Sequence, residues 1–421
     1  MAADFYPIAV IGGGASGMAA AIEGAGILGP GRVLLLERGA RAGRKLLATG
    51  NGRCNLSNRF AEPSRYHGAD PQFVKPAFAR FSVEENLRFF EKMGLMSVEE
   101  EAGKLYPMPL QAAAVLDVLR LELDRRGVTL LTGTEVTGIR TGKGGFVLSC
   151  RTEEGETFFR AGKVIVACGG EASAGLGGCD SGYQLLQSLG HTITRRLPAI
   201  VQLKADVKAV KGLSGSKFDA VLTLLDRGKP VQTERGELLF TDYGVSGPPV
   251  MQLSGAAVRI LEGKRTATLL VDFLPEMTEE QLSPLLFQRR KLLKSRRLED
   301  FMTGFVSKRL GQAILKLAGA APLSREAGSL SEEEIRGCAG LLKALPLLLT
   351  ASNGMKNAQV TQGGAVTAEF DPRSMESKRV PGVYATGEVL DIDGDCGGFN
   401  LQWAWSSGRL AGESAAGGQR R

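Results

Sequence analysis

An unbroken apolar run, Ile8 to Ile11, leads into the glycine-rich stretch Gly12 to Gly17, a helical pattern from about Met18, and a second apolar run, Val33 to Leu36. Continuous apolar runs on either side of a helix mark strands buried on both faces, so this segment predicts the opening of a βαβ unit. A polar, glycine-rich segment spans Arg41 to Asn58, and helical periodicity follows from about Gln72 to Lys92 and from Gln111 to Arg126. Val128 to Leu131, Thr134 to Thr141, Gly145 to Thr152 and Thr157 to Arg160 read as a meander of short strands. Lys163 to Ala167 reads as a buried parallel strand that reaches a ligand crevice at Gly169 and Gly170.

From about His191 the period changes to two, with alternating runs near Val201 to Val207, Ala220 to Asp226 and Ala267 to Phe273. This predicts an inserted β-rich unit. Thr278 to Gly328 returns to helical period with many charges. Leu330 to Leu342 then predicts a helix with Ser331 as N-cap and Glu332 to Glu334 in its first turn. After about Gln359 glycine clusters and apolar strands come back, so the chain is expected to re-enter its first domain.

Composition narrows the classes. With 421 residues, 43% of them hydrophobic, the chain is long enough for two or three packed units. The apolar run from Leu341 to Leu349 is broken by Lys343 and Pro346, and no stretch approaches the roughly 20 residues that span a bilayer. A strand begins almost at the N-terminus and leaves no room for a signal peptide, so a cytoplasmic location without membrane contact is expected. Six cysteines without a CxxC pair and only two histidines argue against a zinc site. The net charge of +7 is a modest attraction for anionic partners.

Gly12, Gly14 and Gly17 form GxGxxG after a strand and before a helix, with Glu37 at the end of the second strand. In that context Gly12 permits the tight turn, Gly14 lets the backbone approach a pyrophosphate, and Gly17 allows the helix to pack on the strand. Glu37 suits an unphosphorylated ribose diol. Gly24, Gly26 and Gly29 repeat the spacing without a preceding strand and carry no such meaning. The fingerprint does not separate FAD from NAD, so the C-terminal segment arbitrates. There the strand Gly382 to Ala385 runs into Thr386, Gly387 and Glu388. Asp393, Gly394, Asp395, Cys396, Gly397, Gly398, Phe399 and Asn400 then form a polar loop into a helix from about Leu401. A second helix N-terminus aimed at a cofactor would stabilise negative charge on a reduced flavin.

The segments VIGGGASGMAAAI, GRKLLATGNGRCNLSN, LLFTDYGVSGPPVMQLS and GEVLDIDGDCGGFNLQWAWSSGRLAG resemble the bacterial BaiN-type family of NAD(P)/FAD-dependent oxidoreductases, also called the aminoacetone oxidase family. The resemblance implies an α/β fold: a discontinuous Rossmann-like FAD-binding domain interrupted by a β-barrel-like unit and a small helical unit. The expected divisions are 1–190 with 358–421 for the FAD domain, 191–275 with 331–357 for the β-rich insert, and 276–330 for the helical part. It implies FAD contacts by Gly12, Gly14, Glu37, Lys45, Asn51, Arg53, Cys54, Gly387, Asp393, Gly398 and Asn400. Their neighbours Ala15, Ser16, Gly17, Arg38, Arg44, Gly52, Val136, Gly169, Gly170, Glu388, Gly397, Phe399 and Leu401 complete the candidate cofactor set.

Arg44, Lys45 and the run Thr49 to Cys54 gather donors able to neutralise a pyrophosphate. Cys54 and Cys396 fall in segments expected near the flavin, where a redox-active pair is one reading and small packing residues the other. In the insert, Ser246 is expected to cap a helix with Pro248 in its first turn, and Asp242 or Tyr243 is a candidate proton source. Gln288 to Arg297, QRRKLLKSRR, puts basic charge on a helix with Leu292 and Leu293 on an apolar stripe. A solvated face explains it, and RNA contact through Arg289, Arg290, Arg296 and Arg297 is the alternative.

These observations lead to an FAD enzyme passing a hydride between flavin and a small organic substrate, with NADH or NADPH as transient co-substrate and no stable nucleic-acid partner. An oxygen-using amine oxidase and an RNA-associated flavoprotein are the rival readings.

Overall fold

The apolar run at the N-terminus forms the strand Phe5–Ile11 of a computed structural model that describes residues 4–417. That strand lies between Val33–Leu36 and Gly155–Val166, parallel to both, and Val383–Ala385 adds to the far side of Gly155–Val166, also parallel. Residues Ile8 to Ile11 and Val33 to Leu36 are buried throughout, which is why they read as continuous apolar runs. This sheet belongs to one unit, Met1–Leu197 with Gln359–Arg421; Pro198–Ala358 forms the other. The α/β Rossmann-type class is confirmed.

The first unit departs from the sequence pattern in three places. Thr157 to Arg160 and Lys163 to Ala167 are not separate strands. They join in the twelve-residue strand Gly155–Val166, antiparallel to Gly145–Thr152 in its first half and parallel to Phe5–Ile11 in its second. The strand passes from a half-exposed meander into the covered core, and its pattern changes from alternating to apolar at that passage. Thr129–Leu131 leaves the meander and pairs in parallel with Val33–Leu36 at the opposite edge. The helical run Gln72 to Lys92 breaks at Ser82, whose Oγ caps Val83–Lys92 by accepting from Glu85 N at 3.3 Å.

The helices Ala15–Leu28 and Phe399–Ala415 pack against each other in this unit. Close approach requires small residues. A Cβ at Gly408 would meet Ser16 O at 2.3 Å, and one at Gly412 would meet Ala20 O at 2.3 Å. Both helices start earlier than the periodicity indicated, at Ala15 and Phe399, because glycines (Gly14 and Gly398) stand at the N-caps. Gly24 and Gly26 lie inside the first helix and Gly29 caps its end.

A buried network orders the returning segment. His191, with its side chain fully buried, bonds Glu369 Oε2 through Nδ1 at 2.9 Å and Ser377 Oγ through Nε2 at 2.9 Å, and its ring stacks on Phe370.

In the second unit six strands close a barrel: Leu203–Ala205, Gly244–Ser246, Lys229–Phe240, Lys217–Asp226, Ala267–Asp272 and Leu345–Ser352, in that order around it. Lys229–Phe240 went unseen in the sequence because, apart from Leu238 and Phe240, its residues are exposed or half-buried and show no apolar alternation. Ser246 does not cap the helix Pro248–Glu262; Gly247 holds that position, with no side-chain cap. Ser331 is the N-cap of Glu332–Lys343, as expected, and with Glu334 it forms a capping box. On Glu279–Leu292 the buried residues are Leu282 and Leu286, whereas Leu292 is 80% exposed, so the apolar stripe placed there is absent. Among the described residues no helix is long and apolar enough to cross a membrane.

Candidate cofactor site

The glycines of the fingerprint do different work. Gly12 has φ +109°, and a Cβ on it would meet Ala167 O at 2.4 Å; a Cβ on Gly17 would meet Gly12 O at 1.9 Å. Both positions are set by backbone-to-backbone packing. Gly14 has nothing within 4 Å of its Cβ position, so it faces open space at the start of a helix whose first amides no side chain caps. That is the surface on which a phosphate can approach. At the next strand end, Glu37 accepts from Gly13 N through Oε2 (2.8 Å) and from Gly39 N through Oε1 (2.6 Å), which orients the carboxylate.

Beside Glu37 a cleft is lined by Gly12, Arg38 and Val136, all expected there, and by Thr134, Cys168, Cys179 and Ser181, which were not. Thr134 and the segment from Cys168 to Ser181 are separated in sequence, and no local motif announces them. Arg38 donates to Gly177 O at 3.4 Å, and Arg44 to Gly175 O at 3.2 Å, so both tie down the same 3-10 turn.

A second group joins the two ends of the chain. Gly387, φ +74°, would place a Cβ 2.7 Å from Ser16 Oγ; its N–H donates to Ser407 Oγ at 3.0 Å and its carbonyl accepts from Trp403 Nε1 at 3.1 Å. Lys45 Nζ pairs with Glu388 Oε2 at 2.9 Å, while Glu388 Oε1 accepts from Thr361 N at 2.8 Å. Gly170 is needed here, since its Cβ would lie 2.5 Å from both Glu388 Oε1 and Thr361 Oγ1. Gly169 turns the preceding strand with φ +71°.

The third group surrounds the start of the C-terminal helix. Asn51 and Gly52 take positive φ on an exposed turn. Arg53 pairs with Glu100 and lies 4.2 Å from the Tyr106 ring centroid. Asp393 pairs with His67 in a two-residue ladder, and Asp395 Oδ1 bonds His67 Nε2 at 2.8 Å. Asn400 closes the glycine loop: its Oδ1 accepts from Gly394 N and its Nδ2 donates to Gly394 O, each at 2.8 Å. The Phe399 ring meets Tyr66 edge-on, and Leu401 packs on the core. Gly397 and Gly398 take φ +119° and +100°. The side chains of Arg53 and Asn400 thus shape their loops through protein partners.

Cys54 and Cys396 are not joined in a disulfide, nor are the other four cysteines. Burial pushes Cys54 up to about 12 and raises Cys396 as well, the opposite of what a reactive thiolate requires. In the other unit, Asp242 accepts from Ser214 Oγ at 2.5 Å and Tyr243 is 38% exposed. Asn55, absent from the expected set, is buried beside this third group. It stands between the buried Cys54 and Leu56 and next to two further buried polar residues, Ser57 and Asn58, so no local pattern singles it out.

An open glycine approach, a preoriented carboxylate and two uncapped helix starts fit a dinucleotide with a pyrophosphate and a ribose diol. Comparison with known proteins agrees. A family model described as the HI0933-like protein Rossmann domain matches residues 6–414. The chain is 40% identical to a 3-dehydro-bile acid delta(4,6)-reductase of Clostridium scindens, over 97% of this chain and 98% of that protein. It is 31% identical to a ribosomal RNA dihydrouridine synthase of Escherichia coli, over 94% and 95%. Among solved structures, a 3-ketosteroid delta1-dehydrogenase of Sterolibacterium denitrificans shares the fold at 13% identity, with a TM-score of 0.51 and coverage of 99% and 100%.

Proposed function

The chain belongs to the HI0933-like Rossmann-domain family of FAD-binding oxidoreductases, and from that premise we propose that it reduces carbon–carbon double bonds conjugated to a carbonyl, with NADH or NADPH as reductant. The observation that carries this reading is the 40% identity, end to end, with a delta(4,6)-reductase of a 3-dehydro bile acid. An alkene beside a steroid 3-keto group and the alkene of a uracil ring share one electronic feature: hydride addition at the far carbon places negative charge on the carbonyl oxygen. One chemistry therefore serves the substrates named for both relatives.

When bound, FAD supplies the hydride-carrying ring. The protein's part is placement. Gly12, Gly14 and the first helix would hold the pyrophosphate, and Glu37 would take the ribose hydroxyls. The Lys45–Glu388 pair ties the N-terminal segment to the C-terminal one. The start of Phe399–Ala415 presents amide donors that favour negative charge on the reduced ring. No second strand-linked GxGxxG occurs after residue 60, so the nicotinamide is a visitor without its own Rossmann domain.

The test is anaerobic spectroscopy. NADH or NADPH is expected to bleach the visible flavin band of the purified protein, and 4-androstene-3,17-dione, a conjugated 3-keto steroid, to restore it. A band that persists with both nucleotides, joined by peroxide formation from an amine in air, would replace this reading with the oxidase.

A second reading is favoured by charge. Residues 198–358 contain 23 Lys and Arg against 17 Asp and Glu, a net +6 out of the chain's +7. Arg289 and Arg290 are engaged within the fold, donating to Phe301 O and Leu330 O, so charge reversal there would damage structure. The exposed Lys291, Lys294 and Arg296 are the better probes. Salt-dependent RNA retention lost on reversing these three would make RNA the substrate carrier; no retention at low salt excludes it.

A further inference from the structure

Asn55 is 8% exposed, and its side-chain oxygen is buried without a hydrogen-bond partner among the described residues. The other three such atoms belong to Arg196, Asp226 and Arg325, whose side chains sit in ion pairs. Folded chains keep few unmet buried acceptors, because each has given up water for nothing unless a ligand meets it. An amide oxygen accepts only, so the ligand must bring an N–H or O–H.

The surroundings indicate which. Cys54 N donates to Thr49 O at 2.9 Å, and Leu56 O accepts from Trp405 Nε1 at 2.9 Å, so the backbone on both sides of Asn55 is pinned. A Cβ on Gly398 would lie 2.7 Å from Asn55 Oδ1, and one on Gly50 would lie 2.8 Å from Asn55 N. Two glycine loops from opposite ends of the chain therefore close on this one residue. Gly398 is the N-cap of a 17-residue helix with no side-chain cap, so an acceptor and a set of amide donors stand side by side.

We propose that Asn55 Oδ1 accepts the N3–H of the flavin pyrimidine ring, while the neighbouring C2 carbonyl faces the amides at the start of Phe399–Ala415. This rests on the flavin reading above and assigns the orientation of the ring. An oxidised flavin offers one N–H on that edge, flanked by carbonyls, and the alternation of acceptor and donors at Asn55 and Gly398 is its complement.

The experiment compares FAD with N3-methyl-FAD, which lacks the donor, on deflavinated protein by fluorescence titration. Wild type is expected to bind N3-methyl-FAD about 10- to 100-fold more weakly, since the methyl leaves the buried acceptor unmet. Asn55→Ala is expected to weaken FAD binding and to abolish the discrimination between the two flavins, the signature of a direct pair. Equal binding of both flavins by wild type overturns the assignment and needs no folded variant. Retained discrimination in Asn55→Ala overturns it as well. Failure of wild type to bind FAD at all would instead sink the flavoprotein reading.

Discussion

Gly17→Ala is expected to weaken cofactor binding and destabilise the fold together, whereas Gly14→Ala is expected to weaken cofactor binding alone. At Gly17 the added Cβ would stand 1.9 Å from the carbonyl oxygen of Gly12, a backbone atom in the turn that follows Phe5–Ile11. No flexible side chain can yield there. The strand and helix must separate, at a cost of about 3 kcal/mol or more, as for other backbone-level clashes in a core. At Gly14 the Cβ meets nothing within 4 Å, and φ is −81°, which any residue adopts. Stability of the deflavinated protein is expected to change by no more than about 0.5 kcal/mol. FAD affinity should still fall, by about 10-fold or more, because the added methyl occupies the approach of the phosphate. Urea unfolding of the deflavinated proteins, paired with FAD titration, separates the two. A Gly17→Ala protein that unfolds with wild-type midpoint and keeps its flavin would show that this turn is not packed as described.

Arg409→Met is the second large effect, and it acts through the packing of three helices. The side chain of Arg409 is 9% exposed. Its Nε donates to Glu23 Oε2 at 2.9 Å, and its Nη1 to Glu85 O and Asn86 Oδ1, each at 3.1 Å. The guanidinium is also 4.1 Å from the Phe81 ring centroid and 4.6 Å from that of Phe89. This one group ties Phe399–Ala415 to both Ala15–Leu28 and Val83–Lys92. Removing it leaves the buried Asn86 amide oxygen without this donor and unpairs the part-buried Glu23 carboxylate, at a cost of about 2–4 kcal/mol. Arg409→Lys keeps the charge but not the fork, so it is expected to recover part of the loss. Because the same helix carries Gly398 at its other end, flavin retention should follow stability across the two variants. An unchanged unfolding midpoint in Arg409→Met would refute the anchoring role.

The Gly17 contact lies within one turn of the chain, whereas those of Arg409 join residues more than 300 positions apart, and the same distinction separates what could be read from the chain and what could not. The burial of Ile8 to Ile11 and Val33 to Leu36 was legible because a strand covered on both faces must be apolar at every position. The helix opening at Ser331 was legible because its capping box is a matter of four consecutive residues. The Gly12–Gly17 turn was legible for the same reason. Local patterns failed where one strand serves two environments, as Gly155–Val166 does, or where a barrel strand such as Lys229–Phe240 buries almost nothing. Ser246 had the right residue type for a cap, but the barrel needed it in a strand.

By itself the sequence determined the α/β class, the glycine turn between strand and helix with its acidic partner, and the return of the C-terminal segment to the first unit. Each rests on short-range periodicity or on residues within one turn of each other. Only the tertiary structure decided that Lys45 meets Glu388, that Arg53 and Asn400 are spent on protein partners, and that Asn55 is left with an unmet oxygen beside Gly398. Those facts depend on which distant backbones are brought within hydrogen-bonding reach, and periodicity along a chain records burial but not the identity of the neighbour.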